Sequence, residues 1–172
     1  MTYEPPVNFS YFKANYLDAS AAVKLVIAER GSDHLNAYFA NRSGFFITSF
    51  CLFEALSVLK RKMCKEEISR EQYFDACYLL LSHLRTKRIR IDDEPKVDSL
   101  QKFERAEKLA KLHRLDLSDA LQLVGVKHGK FCKLAKESKT VLITADRSLA
   151  KAAKTEGLRV WNCEEEPGLP DH

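Results

Sequence analysis

Asn15-Tyr16-Leu17-Asp18-Ala19-Ser20-Ala21-Ala22-Val23-Lys24-Leu25 passes from an apolar segment, through one aspartate, into a helix-forming run. Tyr16-Leu17 reads as a strand that ends at Asp18, and the residues from about Ser20 to Ala28 read as a helix. A carboxylate at such a junction caps the helix that follows, or projects from a strand end, where open α/β sheets bind ligands. The same unit recurs near the other end of the chain. Val141-Leu142-Ile143 is a buried-strand run, and Asp146 follows it by two residues. A helix with Leu149, Ala152 and Ala153 inward then stops at Gly157.

The stretch between them alternates in the same way. Gly31 breaks the first helix, and a second runs from Asp33 to about Asn41. Phe45-Phe46-Ile47 is a continuous apolar strand, and Ser49 opens a long helix to about Met63. Glu66-Glu67 to Arg85 reads as another helix, with Tyr73, Cys77, Leu80 and Leu84 on its apolar face. Ile89 and Ile91 alternate with Arg88 and Arg90, the pattern of a half-exposed edge strand. Pro95 is expected to open a charged helix carrying the i,i+4 pairs Glu104–Lys108 and Glu107–Lys111. Ser118 is expected to cap the helix of Ala120, Leu121, Leu123 and Val124. Leu158 to Trp161 reads as the last strand. Apolar strands separated by helices imply an α/β fold, with a parallel sheet covered on both faces and right-handed crossovers.

The 172 residues fit one domain. Its core is expected at about residues 15–161, after an extension (1–13, with Pro5-Pro6) and before a polar tail (164–172). At 45% hydrophobic and 30% charged residues the chain is neither disordered nor fibrous. No apolar run is long enough to span a bilayer, and no signal pattern opens the chain, so a cytoplasmic protein is expected, with no membrane partner. The five cysteines are scattered without a C-x-x-C, and the five histidines form no H-E-x-x-H, which argues against zinc. The P-loop pattern is absent. The net charge of +4 and the basic groups at Lys60-Arg61-Lys62, Lys87-Arg88 and Lys127 to Lys139 are compatible with nucleic acid.

The acids carry more. Asp18 and Asp146 are expected on one rim of the sheet. Glu54 lies in a long helix with Phe50 and Val58 one turn away on either side, where a bare carboxylate is expensive. Asp119 stands in the first turn of an otherwise apolar helix. Each has an ordinary reading: a cap for Asp18 and Asp146, a dipole partner for Asp119, an ion pair for Glu54. Together, four acids near the starts of four helices would repel one another unless a cation lay between them. A hard divalent ion with oxygen ligands resolves that conflict.

These residues also resemble a known family. The segment Tyr16 to Leu25 is similar to the opening of PIN domains, especially the toxins of bacterial VapBC toxin–antitoxin pairs. Ser49 to Leu59 with Glu54, Leu117 to Leu123 with Asp119, and Leu142 to Leu149 with Asp146 resemble the second, third and fourth acidic blocks, in family order. The resemblance implies a three-layer α/β/α fold with a five-stranded parallel sheet of order 3-2-1-4-5. It also implies Asp18, Glu54, Asp119 and Asp146 around one or two Mg²⁺ or Mn²⁺ ions, supported by the hydroxyls of Ser20 and Thr144. Asp116 is a possible further acid.

The expected activity is metal-dependent endoribonuclease cleavage of RNA, with Lys24, Arg61 and Arg147 as candidate phosphate contacts. By the same resemblance the partners would be a small antitoxin protein and a second copy in a homodimer. The alternative is a non-catalytic PIN module that binds RNA or protein. A haloacid-dehalogenase-type phosphatase is disfavoured by Ser20, where that chemistry wants a second Asp. A receiver domain lacks its acid pair after the first strand.

Overall fold

A computed structural model describes residues 13–92, 99–129, 132 and 139–168. Among these described residues five strands and seven helices follow in chain order: β1 (Lys13–Leu17), α1 (Ala19–Lys24), α2 (Ser32–Asn41), β2 (Phe45–Ile47), α3 (Ser49–Cys64), α4 (Arg70–Arg85), β3 (Ile89–Ile91), α5 (Leu100–His113), α6 (Leu117–His128), β4 (Lys139–Thr144), α7 (Arg147–Thr155) and β5 (Arg159–Asn162). All strand pairs are parallel, in the order β3-β2-β1-β4-β5. The expected order is thus the observed one.

Strand pleating sorts the side chains into two layers, because successive residues face opposite sides of a sheet. Leu17, Phe45, Ile47, Ile89, Val141, Ile143 and Trp161 face one side, where Ala21, Leu35, Leu59 and Leu80 of α1 to α4 cover them. Ala14, Tyr16, Phe46, Leu142 and Val160 face the other, under Leu123 and Val126 of α6 and Leu149, Ala152 and Ala153 of α7. Helix α5 packs on α6 through Ala106, Ala120 and Val124. Each fully buried Leu, Ile or Phe here is worth about 1.5–3 kcal/mol. Strand β3 lies at the sheet edge, as expected, but it buries only Ile89: Ile91, which alternation would place on the same inward face, is exposed along with Arg90.

Local chemistry moves several boundaries. Helix α1 ends at Lys24, short of Ala28, and β1 begins at Lys13, inside the expected extension. Helix α4 starts at Arg70, not at Glu66. Glu66 takes a positive φ of 59°, and Ser69 with Gln72 forms a reciprocal capping box. Asp116, not Ser118, caps α6: its carboxylate accepts from the Asp119 N–H at 3.0 Å and from the Ser118 hydroxyl at 2.9 Å. Neither Glu104–Lys108 nor Glu107–Lys111 forms an ion pair among the described residues. Pro95 lies outside the described residues.

At Gly31, φ is +86°, and a Cβ would stand 2.1 Å from the Cys163 carbonyl oxygen. Only glycine lets the start of α2 meet the segment after β5 so closely. No described helix is long and apolar enough to cross a membrane.

Candidate functional site

The strand order reverses between β1 and β4, since β1 leads leftward to β2 and β4 leads rightward to β5. Such a switch point opens a crevice at the carboxyl ends of the strands. Here the crevice is a cleft of about 350 Å³ whose walls include Asp18, Glu54, Asp116, Asp119 and Asp146. Four elements supply these acids: the end of β1, the second turn of α3, the start of α6 and the end of β4.

Asp18 is the deepest, at 4% exposure. Its Oδ2 accepts from Ser20 Oγ at 2.6 Å, from Thr144 Oγ1 at 2.9 Å and from the Ser20 N–H at 3.2 Å. Burial raises its proton affinity, and these donors oppose the rise without cancelling it. Ser20 Oγ also accepts from the Ala145 N–H at 2.8 Å, and Thr144 Oγ1 accepts from the Asp146 N–H at 2.9 Å. The two hydroxyls therefore lock the β1 and β4 ends together. Asp146 is exposed, and its Oδ1 caps α7 at Leu149 N, 2.8 Å away.

Asp119 is half-buried and accepts no hydrogen bond from a described residue. Burial, then the charges of Asp18, Asp116, Asp146 and Glu54, push it up to about 8. Glu54 is also raised, first by burial and then by Asp18 and Asp116, with Arg61 opposing. Beneath them the buried Cys51 thiol is raised by burial and by the charges of Asp18 and Glu54. Asp116 thus joins the four other acids electrostatically, as a wall of the cleft and as a helix cap.

The far end of the cleft holds cations already matched. Lys24, expected to contact phosphate, is buried, and its Nζ lies 3.3 Å from Glu29 and 3.1 Å from Glu164. Lys62 Nζ meets the other oxygen of Glu29 at 2.5 Å and Glu67 at 3.2 Å. Arg61 is exposed, and Arg147 is exposed with its Nε 2.5 Å from Glu165. Glu29 and Glu164 carried no sequence signal, and Lys62 stood out only as part of a basic run, because their partners are set by tertiary packing.

The cleft is lined by seven carboxylates (Asp18, Glu29, Glu54, Asp116, Asp119, Asp146, Glu164) and two ammonium groups (Lys24, Lys62). That surplus disfavours an anion directly against the acids and favours a cation. The donors are all oxygen, the chemistry suited to Mg²⁺ or Mn²⁺. Among the described residues no three such side chains lie close enough, as they stand, to enclose an ion.

No family model and no curated protein matches the chain. Among solved structures it is similar to the crystal structure of PAE2754 from Pyrobaculum aerophilum. The two are 21% identical over 86% of this chain and 88% of that one, with a TM-score of 0.55. A likeness at that identity bears on the fold alone.

Proposed function

We propose that this protein is a divalent-metal-dependent endoribonuclease of the PIN-domain type. The observation that supports the reading is the shared cleft of Asp18, Glu54, Asp119 and Asp146, brought from four elements to the switch point of the sheet. Asp18 and Asp119 are the direct ligands in this reading, and Glu54 and Asp146 complete the set directly or through water. A bound Mg²⁺ or Mn²⁺ would supply a water of lowered pKa and neutralise charge on the scissile phosphate.

The chain's own part is positioning. Ser20 and Thr144 favour the ionised form of Asp18 against its burial and fix its position by donating to one of its oxygens. Glu54, on its helix and half-buried, has the freedom to orient the attacking water. Arg61 on the exposed rim is the group available to the RNA backbone, and Arg147 beside it would have to exchange Glu165 for phosphate, whereas Lys24 is buried and engaged by two glutamates. A protein partner belongs to the same proposal, as a small inhibitory antitoxin or a second copy. The exposed Phe53 of α3 and Phe74 and Tyr78 of α4 offer apolar area for one.

The deciding experiment is cleavage of a mixed RNA pool with Mg²⁺ or Mn²⁺, with and without EDTA, by wild type and Asp119→Asn. Metal-dependent cleavage lost in the variant is the expected result. Cleavage that survives both EDTA and the substitution would sink the proposal. A second reading, a binding module without catalysis, is favoured by the spread of the acids, no three of which yet enclose an ion among the described residues. Metal uptake without cleavage of any RNA in the pool would select it.

A further inference from the structure

Gln122 is polar, sits in the middle of the apolar run of α6, and is 3% exposed. Its Nε2 donates to the Leu17 carbonyl oxygen at 3.4 Å. Its Oε1 is buried with no hydrogen-bond partner among the described residues. The amide cannot be reversed, because that would set oxygen against the Leu17 oxygen. A buried acceptor left unsatisfied costs about 1–3 kcal/mol, so fold stability alone does not account for an amide in this position.

The bond it makes lies on the peptide that carries Asp18. The N–H of that peptide, at Asp18, donates to the Ile143 carbonyl of β4 at 3.0 Å. The C=O of the same peptide, at Leu17, takes Gln122 of α6. One peptide is therefore gripped by the strand that leads to Asp146 and by the helix that bears Asp119. Asp119 and Gln122 are three residues apart on α6 and share a face.

From this geometry we infer that Gln122 is a positioning residue, which sets the separation of Asp18 and Asp119 by tying α6 to the end of β1. The inference rests on the reading of the cleft as a divalent-cation site, and it adds a residue that touches neither the cation nor RNA. Outer groups that orient ligands typically govern 10–100-fold of metal affinity.

The test titrates Mn²⁺ alone into the full-length protein by calorimetry, for wild type, Gln122→Met and Gln122→Leu, and records the metal-free Tm of each. Methionine keeps the shape and removes both the donor and the orphan oxygen. The expected result is Mn²⁺ affinity weakened about tenfold, with a metal-free Tm close to that of wild type, because relief of the orphan oxygen is set against the loss of the donor to the Leu17 carbonyl. Wild-type affinity in a folded variant would overturn the inference. A metal-free Tm lowered by several degrees in both variants would also overturn it, making Gln122 an ordinary packing residue. A wild-type protein that takes up no Mn²⁺ would remove the cation site itself, and this inference with it, a result distinct from equal affinities.

Discussion

Thr144 Oγ1 donates to Asp18 Oδ2 at 2.9 Å, a hydrogen bond that spans 126 residues of sequence and the junction between β4 and β1. The same oxygen accepts from the Asp146 N–H, so one hydroxyl serves two acids of the cleft. Thr144→Val keeps the shape and removes both bonds. It should cost about 1–3 kcal/mol, which for a chain of this size lowers Tm by about 2–4 °C per kcal/mol. It should also raise the proton affinity of Asp18 further and weaken Mn²⁺ binding. Thermal unfolding with and without Mn²⁺ checks both parts, and an unchanged Tm would show that the hydroxyl is idle.

Asp119 gives the cation-free protein a pH dependence of defined sign. Its carboxyl, pushed up to about 8 in the fold, starts from 3.8. Between those values the folded state holds a proton that the unfolded state has lost, so stability falls as pH rises across that window. Metal-free wild type should therefore have a higher Tm at pH 5 than at pH 8.5, once other groups are subtracted through Asp119→Asn. The variant should show a flatter profile and exceed wild type at the alkaline end. Mn²⁺ should restore the wild type there and leave the variant nearly unmoved. Parallel profiles for the two proteins would refute the assignment.

Lys24 is shared by Glu29 and Glu164. Lys24→Met leaves two carboxylates facing each other without their common cation. Because both glutamates keep some exposure, the loss should fall below the ~3–5 kcal/mol of a fully buried pair, at about 1–3 kcal/mol. Adding Glu29→Gln should recover part of it. Denaturant titration of the single and double variants measures the coupling, and strict additivity would mean that the pairs contribute nothing.

Gly31→Ala places a methyl group 2.1 Å from the Cys163 carbonyl oxygen at a φ of +86°. Strain and the forced displacement together should cost about 2–4 kcal/mol. The displaced segment carries Glu164, so the loss should overlap with that of Lys24→Met. A Gly31→Ala/Lys24→Met double variant should be more stable than the sum of the singles implies. A Tm within about 1 °C of wild type in the single variant would show that the contact yields freely.

Much of the fold was legible because its strands are apolar throughout and its punctuation is local. Phe45–Ile47 is observed as read, and Asp146 and Gly157 bound α7 as expected. The alternation at Ile89 and Ile91 marked the edge correctly. Ser118 and Asp116 are both good cap residues for α6, and only the geometry selects the aspartate. Helix α4 starts later than its charged lead-in suggests, where Ser69 and Gln72 have the capping-box spacing. At the site, the four acids stood out as charges at strand ends or in apolar surroundings. Glu29, Glu164 and Gln122 did not, since their meaning comes from partners 5, 140 and 105 residues away. The Tyr16 hydroxyl, bonded to the buried Asp92 carboxylate, was hidden for the same reason.

Three of the cleft acids, Asp18, Asp116 and Asp146, also begin helices α1, α6 and α7 through their side-chain oxygens. An alanine at any of them would therefore remove a charge and unseat a helix end in the same stroke, and lost activity would not reveal which had mattered. Asparagine retains an oxygen that caps nearly as well. For these three positions the alanine-minus-asparagine difference isolates architecture, and the asparagine-minus-wild-type difference isolates charge.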